Sequence, residues 1–186
     1  MAMDINYVDE NLLRVPQWKA TYILRPELLV LSASLAEFGF IQPIHVRKES
    51  MEVIDGSERL MLAKNIEDIY QHTEGKIPVI FHDVDLPDAM IMHIRLNRGR
   101  GNVVAAKLSE IIRTTKRSRK YSEADFNTLL SMGNEELSLM LDGSVFKARK
   151  IKEHSYARAW VPIEAPAKSS KSGDGMIIES PPNPDR

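Results

Sequence analysis

The stretch Val53-Ile54-Asp55-Gly56-Ser57-Glu58-Arg59 has the residue types that could do the most chemistry. It reads as a strand that passes through a glycine into a helix. A helix N-terminus presents free backbone N–H groups and the positive end of the dipole, which suits a phosphate. Gly56 permits a tight turn and a close backbone approach. Ser57 can cap the helix or donate to an oxygen, and Arg59 can make a paired contact with phosphate. The same seven residues also read as an ordinary turn with its cap.

Two further stretches have the same character. Gly39-Phe40-Ile41-Gln42-Pro43-Ile44-His45-Val46 reads as a helix stop, a loop and a strand, which accounts for all of it except Gln42. Leu96-Asn97-Arg98-Gly99-Arg100-Gly101-Asn102 sets two arginines and two glycines just before a helix. That is either an anion cradle or a flexible basic loop. The five histidines, His45, His72, His82, His93 and His154, have no ligand spacing on a helix. They read as surface or strand-edge residues, and no transition-metal site is expected.

In this order and spacing, the three stretches resemble the ParB/sulfiredoxin superfamily (the ParB-like nuclease domain). The match is nearest to its small phage- or plasmid-encoded ParB-like members. The first family box is matched by Gly39 and Gln42-Pro43-Ile44, the second by Asp55-Gly56-Ser57-Glu58-Arg59 with Ala63, and the third by Asn97 and Arg100. The resemblance covers roughly residues 20–115. It implies a nucleoside triphosphate, ATP or CTP, with Mg²⁺. The nucleotide and its phosphates would lie against Gly39, Gln42 and Pro43, then Asp55, Gly56, Ser57 and Arg59, then Asn97, Arg98, Arg100 and Gly101. Members of the family act as CTP-dependent DNA clamps, ATPases, serine kinases, peroxiredoxin reductases or nucleases, and fold alone does not choose among these.

Departures from the family pattern narrow the choice. The chain has no cysteine, and Ser57 stands where sulfiredoxin needs one, which excludes that activity. Partition proteins have Gly-Glu-Arg-Arg in the second box. Here Ser57 replaces the glutamate linked to CTP hydrolysis, and Glu58 replaces the first arginine. Leu96 stands where an acid usually precedes the third-box asparagine. Asp55-Gly-x-x-Arg59 is closer to the Asp-Gly-His-His-Arg pattern of the serine kinases. By that resemblance Glu27 is the candidate catalytic base, though an acid in a first helical turn also simply complements the dipole. Glu58 is a second catalytic candidate, and Asp55 or Glu58 could hold Mg²⁺ against the phosphates.

The elements that must position these residues follow from apolar spacing. Leu28, Leu31, Leu35 and Phe38 recur at helical intervals after Pro26, with Gly39 as the stop. Ile44 and Val46 alternate with His45 and Arg47 as a short strand, and Val53-Ile54 begin a second. One helix is predicted from Ser57 to Tyr70, burying Leu60, Ala63, Ile66 and Tyr70. Ile77–Phe81 is a third strand, and Asp88–Leu96 a helix opened by Pro87. Asn102 is expected to cap the longest helix, striped by Val104, Leu108, Ile111 and Ile112. Two short helices follow near Ser122–Met132 and Asn134–Asp142. The fold class is therefore α+β, a small mixed sheet with surrounding helices and then a helical C-terminal half. The expected domains are an N-terminal arm over 1–20 that wraps the surface, a nucleotide-binding domain over 21–115, a helical region over 116–161 and a disordered tail over 162–186. That tail holds five of the ten prolines.

The chain has 186 residues, 43% hydrophobic and 27% charged, which is ordinary for a globular protein. The absence of cysteine excludes disulfides, thiolate metal sites and a cysteine nucleophile. No apolar run approaches a membrane span, and Met1–Asn6 do not read as a signal peptide, so the cytoplasm of a bacterial cell or phage-infected host is expected. A net charge of −1 hides a strong asymmetry. Between Arg95 and Lys120 there are nine Lys/Arg against Glu110 alone, whereas Tyr121–Asp142 has five acids and no base. Arg113, Lys116, Arg117, Arg119 and Lys120 are candidates for phosphate contacts to DNA that do not read sequence, or else form a solvated face. The acidic start of the last short helix, Glu135-Glu136, argues against base reading through it. The basic segment Lys147–Arg158, with Tyr156 and Trp160, either meets phosphates or packs on the domain. The sequence thus points to a nucleotide-binding protein with ATPase, phosphoryl-transfer or switch activity and non-specific DNA contact. A nuclease is left open. The alternative is a catalytically inactive protein that keeps the fold and binds a host or phage protein.

Overall fold

The computed structural model describes residues 4–143. Strand β1 (Asn6–Asp9) leads through a single 3-10 turn (Glu10–Leu12) to α1 (Arg25–Phe38). A hairpin of β2 (Ile44–Arg47) and β3 (Glu52–Asp55) follows, then α2 (Ser57–Asn65), α3 (Glu67–Thr73) and β4 (Lys76–His82). The helical half is α4 (Leu86–Arg98), α5 (Ala105–Arg117), α6 (Glu123–Leu130) and α7 (Asn134–Asp142). The sheet order is β1-β4-β2-β3, with β2 and β4 parallel and the other pairs antiparallel. This is the α+β class the sequence predicts.

Alternation sets the faces of the sheet. Ile44, Val46, Val53, Ile77 and Val79 are fully buried against Leu28 and Leu35 of α1 and Leu60 and Ala63 of α2. A second apolar cluster joins Met90, Ile91 and Ile94 of α4 to Leu108, Ile111 and Ile112 of α5, with Phe126 and Leu137 from the last two helices. Position 116 therefore falls inside α5. Among the described residues no helix is long and apolar enough to cross a membrane.

His93 ties α4 to the sheet. Its Nδ1 lies 2.7 Å from the Ile54 carbonyl, and its Nε2 accepts the Ala20 N–H at 3.1 Å. Only the neutral tautomer with the proton on Nδ1 satisfies both contacts. Burial lowers its pKa below the ordinary value. His93 is thus a core residue, contrary to the expected surface position.

Several local expectations are corrected. The arm contributes an edge strand and buries Leu13 and Ala20 completely, so it does not merely wrap the surface. Phe38 is 62% exposed, because the inward stripe Leu28–Leu31–Leu35 continues onto the buried Gly39, where the helix ends. The helix expected over Ser57–Tyr70 breaks at Ile66, which is extended at φ −110° and ψ 114°. Asn65 there donates back to the Met61 carbonyl at 2.7 Å. Val104, not Asn102, sits at the N-cap of α5, held by its N–H to the Ala20 carbonyl at 2.8 Å. Among the described residues the longest helix is α1, at 14 residues against 13 for α5. Ser122 closes a capping box with Asp125 at the start of α6.

Candidate functional site

Strand β3 ends on Asp55, which is 7% exposed. Gly56 then turns the chain at φ +96°, a conformation that favours glycine. A Cβ at this position would stand 2.8 Å from Nη2 of Arg59, so the turn also needs the empty space. One turn into α2, Arg59 folds back over the glycine. Its Nη2 lies 3.4 Å from Asp55 Oδ2, and its Nη1 donates to the carbonyls of Gln42 and Pro43, the latter at 3.2 Å. The first and second boxes are thereby joined by one guanidinium.

The third box reaches the same carboxylate. Asn97, buried on α4, donates from Nδ2 to Asp55 Oδ1 at 3.1 Å and to the His93 carbonyl at 2.9 Å. Arg100, in the turn after α4, places Nη1 at 3.3 Å from both Asp55 oxygens. Burial pushes the Asp55 pKa up, but Arg100, Asn97 and Arg59 outweigh it and hold the carboxyl below its ordinary value. Burial also lowers the Arg59 pKa, which Asp55 opposes. The result is a partly buried cluster of two guanidiniums and one carboxylate, with Arg100 about half exposed to solvent.

Two cavities flank this cluster. One of about 540 Å³ is lined by Tyr22, Glu27, Arg100, Gly101, Asn102 and Val103, among others. The other, about 240 Å³, is lined by Leu31, Ser34, Leu35, Gly39, Gln42 and Arg59 among others. A cavity of about 680 Å³ on the far side of α4 is lined by Asp88, Arg95 and Tyr121 amid apolar residues. Tyr121 there donates its hydroxyl to Asp88, and no buried donors converge on the space. Convergent chemistry, not size, identifies the first two as the candidate site.

The remaining candidates are distributed unevenly. Glu27 lies in the first turn of α1, exposed, on the wall of the same cavity as Arg100. Ser57 is buried as the first residue of α2, whose N-cap is Gly56. Glu58 is in an ion pair with Lys19 at 2.6 Å. Arg98 turns away, and its Nη2 donates to both carboxylate oxygens of Glu136 of α7 at 2.9 Å each. It ties α4 to α7 within the helical half and does not join Arg59 and Arg100.

Neither proposed Mg²⁺ ligand fits as it stands. Both Asp55 oxygens already accept from Arg100, one also from Asn97 and the other from Arg59, and Glu58 is held by Lys19. Mg²⁺ demands octahedral oxygen ligands at about 2.0–2.1 Å. Among the described residues no group of three or more His, Asp or Glu side chains is arranged to hold a metal ion.

One feature of the site was not expected. His45, the cross-strand partner of Asp55, brings its Nδ1 to 2.8 Å from Nε2 of His82, with the rings stacked at 5.1 Å. Burial lowers the pKa of both, and for His45 the neighbouring His82 adds to the effect. Alternation places His45 with Arg47 on the face opposite Ile44 and Val46. Only the parallel β2–β4 register, which sequence spacing does not give, brings His82 beside it.

The DNA candidates are largely engaged. Arg113 donates to the Ser109 carbonyl at 3.3 Å and lies against Gly143 at the end of α7. Lys116 pairs with Glu123. Lys120 pairs with Asp85 at 2.8 Å and Asp88 at 2.6 Å, which raise its pKa. Arg117 and Arg119 are exposed, with no ion pair to a described residue. The segment Lys147–Arg158, Trp160 and the tail over 162–186 lie outside the described residues.

No family model matches the chain. It is 26% identical over 157 residues to YbdM of Escherichia coli K12, a protein described as uncharacterized, covering 83% of this chain and 74% of that one. In three dimensions it is similar to ParB structures. A C-terminally truncated ParB of Caulobacter crescentus complexed with CTP-gamma-S has a TM-score of 0.41 at 14% identity, over 78% of this chain and 88% of that one. The same truncated protein complexed to the centromeric parS site has a TM-score of 0.45 at 14% identity, over 83% and 78%. A Pnob8-like ParB-N domain has a TM-score of 0.45 at 17% identity, over 68% of this chain and 50% of that one.

Proposed function

We propose that the arginine cluster and its two cavities bind a nucleoside triphosphate, ATP or CTP, in a ParB-like protein of phage or plasmid type. The observation that carries this reading is the convergence of Arg59 and Arg100 on Asp55 from two separate elements. Two guanidiniums held on one anion by separate elements are a preorganised seat for phosphate oxygens, and bidentate recognition of phosphate is what arginine does best. A turn with a helix N-terminus directly beneath them adds backbone N–H groups of the right sign. Glu27 faces the Arg100 cavity without an ion pair to a described residue, so it is the candidate to orient or deprotonate an acceptor. Glu58, held by Lys19, would have to leave that pair to act.

The test is a thermal-shift panel of ATP, CTP, GTP and ADP, run in Mg²⁺ and in EDTA. CTP stands beside ATP because the Caulobacter protein was complexed with a CTP analogue. A ligand that binds only the folded state at 100 times its Kd stabilises by about 2.7 kcal/mol. A shift that disappears in Arg100→Ala supports the reading, and a flat panel at millimolar concentrations overturns it. A flat panel would favour the second reading, a protein that binds a protein partner. That reading has its own observation, the apolar and exposed outer side of α1 and its loop at Val30, Phe38 and Ile41.

A further inference from the structure

We propose that the site takes its phosphate ligand as the metal-free anion, with Arg59 and Arg100 as its counter-charges and Asp55 as an internal anion that the ligand displaces. The inference rests on the nucleotide reading and names the form of ligand that the site accepts. It follows from what already surrounds the Asp55 carboxylate at the centre of the cluster. Arg100 Nη1 is equidistant from both Asp55 oxygens, at 3.3 Å, and so covers the bidentate face that a divalent ion would use. Asn97 takes Oδ1 from the buried side at 3.1 Å, and Arg59 takes Oδ2 from α2 at 3.4 Å. A Mg²⁺ ion bonded to Asp55 would have to evict these donors and then stand beside two fixed positive charges in a partly desolvated pocket.

Glu58 offers no second anchor, because Lys19 holds it at 2.6 Å. Neighbouring groups that bear on the cluster are His45 and His82, both with lowered pKa values and therefore neutral above their titration, and Glu27, a lone exposed carboxylate on the wall of the Arg100 cavity. Among the described residues no three such groups are arranged to hold a metal ion. The guanidiniums therefore stand in the role that Mg²⁺ has elsewhere, neutralising phosphate charge.

Arg100 is half exposed and Arg59 stands 3.4 Å from the same carboxylate oxygen, so the carboxylate acts as a placeholder for a phosphate. An entering phosphate, with more charge and more oxygens, replaces one carboxylate on both arginines at once. Mg²⁺ then competes with the protein, because it removes the free anion from solution as its chelate. Affinity is expected to fall as Mg²⁺ is added, and to rise when Asp55 loses its charge.

The experiment is calorimetric titration of the full chain with inorganic pyrophosphate and with ATP and CTP, in excess EDTA and in excess MgCl₂. Binding in EDTA as tight as, or tighter than, that in Mg²⁺ supports the proposal. Heat that appears only with Mg²⁺ overturns it while leaving the nucleotide reading intact. Absence of heat under both conditions overturns the nucleotide reading itself. Asp55→Asn should tighten pyrophosphate binding in EDTA about tenfold, the scale of one charge-assisted contact released. Unchanged or weaker binding by a folded D55N variant sinks the placeholder role. Should that variant not fold, Arg100→Ala decides, since a half-exposed side chain can be removed with little effect on folding. It should weaken binding in EDTA at least tenfold, and unaltered binding there would overturn the proposal.

Discussion

Arg59 and Arg100, on different elements and in different boxes of the sequence, approach the same atom, Oδ2 of Asp55, at 3.4 and 3.3 Å. Their surroundings are unequal. The Arg59 side chain is 12% exposed and also holds two backbone carbonyls, whereas that of Arg100 is 52% exposed. Removing Arg59 leaves Asp55 and the Gln42 and Pro43 carbonyls short of a donor inside the fold. Arg59→Ala should therefore destabilise by about 3 kcal/mol, the scale for breaking a buried pair by one partner. Arg100→Ala should cost under about 1 kcal/mol, as for exposed pairs. Urea unfolding of the two variants checks this, and equal losses would mean that the exposed arginine is structural too.

Gly56 makes a separate prediction. Alanine there meets both a left-handed backbone at φ +96° and the guanidinium of Arg59 at 2.8 Å. An arginine can usually swing away, but this one is anchored to Gln42 and Pro43 across the loop. Gly56→Ala should cost about 1–3 kcal/mol, the usual scale of strain at such positions. The loss should shrink in the double variant Gly56→Ala/Arg59→Ala, because the clash is gone. A strictly additive double-mutant cycle would show that the backbone alone carries the effect.

How much of this was legible in sequence varies with the range of the interaction. Gly39 and Gly56 announce a helix end and a turn through local chemistry, and the structure has them where that chemistry requires. Apolar spacing likewise found β2, β3 and β4, and the core stripe of α5. β1 was missed because four residues at a sheet edge, half exposed, have no alternation strong enough to read. The site residues Asp55, Arg59, Asn97 and Arg100 were named by motif, but not the carboxylate at their centre as the common partner. Nor does spacing tell that Arg98, the last residue of α4 and two before Arg100, would face Glu136. The His45–His82 pair needed the parallel register of two strands separated in sequence by β3 and two helices, a long-range fact.

Stability should fall as pH drops below about 6.5, the ordinary histidine value. His93, His45 and His82 all have folded pKa values below that of the unfolded chain, chiefly through burial. The unfolded state therefore binds more protons in this window, so folding stability is fully present above pH 6.5 and is lost as pH falls through the depressed folded values. Asp55, also lowered, adds its own loss only further down, below its ordinary 3.8. Urea midpoints at pH 7.5 and 5.5 read the histidine part. His93→Gln should flatten the difference, and a slope unchanged in that variant would assign the effect to the His45–His82 pair.

DNA binding, where it occurs, should be electrostatic, weak and carried by few charges. Of the five basic candidates, Arg113 lies against the end of α7, Lys116 is held by Glu123, and Lys120 is held by Asp85 and Asp88. Arg117 and Arg119 are exposed at the end of α5 and in the turn after it, with no ion pair to a described residue. Each duplex phosphate neutralised contributes about −0.9 to the log–log dependence of affinity on salt. Two arginines thus give a slope of about −1.8, where five free cations would give about −4.5. Fluorescence anisotropy with unrelated duplexes over a range of salt measures this slope. The double variant Arg117→Ala/Arg119→Ala should bring it close to zero for all sequences alike, because phosphate contacts do not read bases. Lys116→Ala/Lys120→Ala should leave it nearly unchanged. A slope near −4.5 would mean that the ion pairs open on binding, and a salt-insensitive preference for one site would defeat the electrostatic reading altogether.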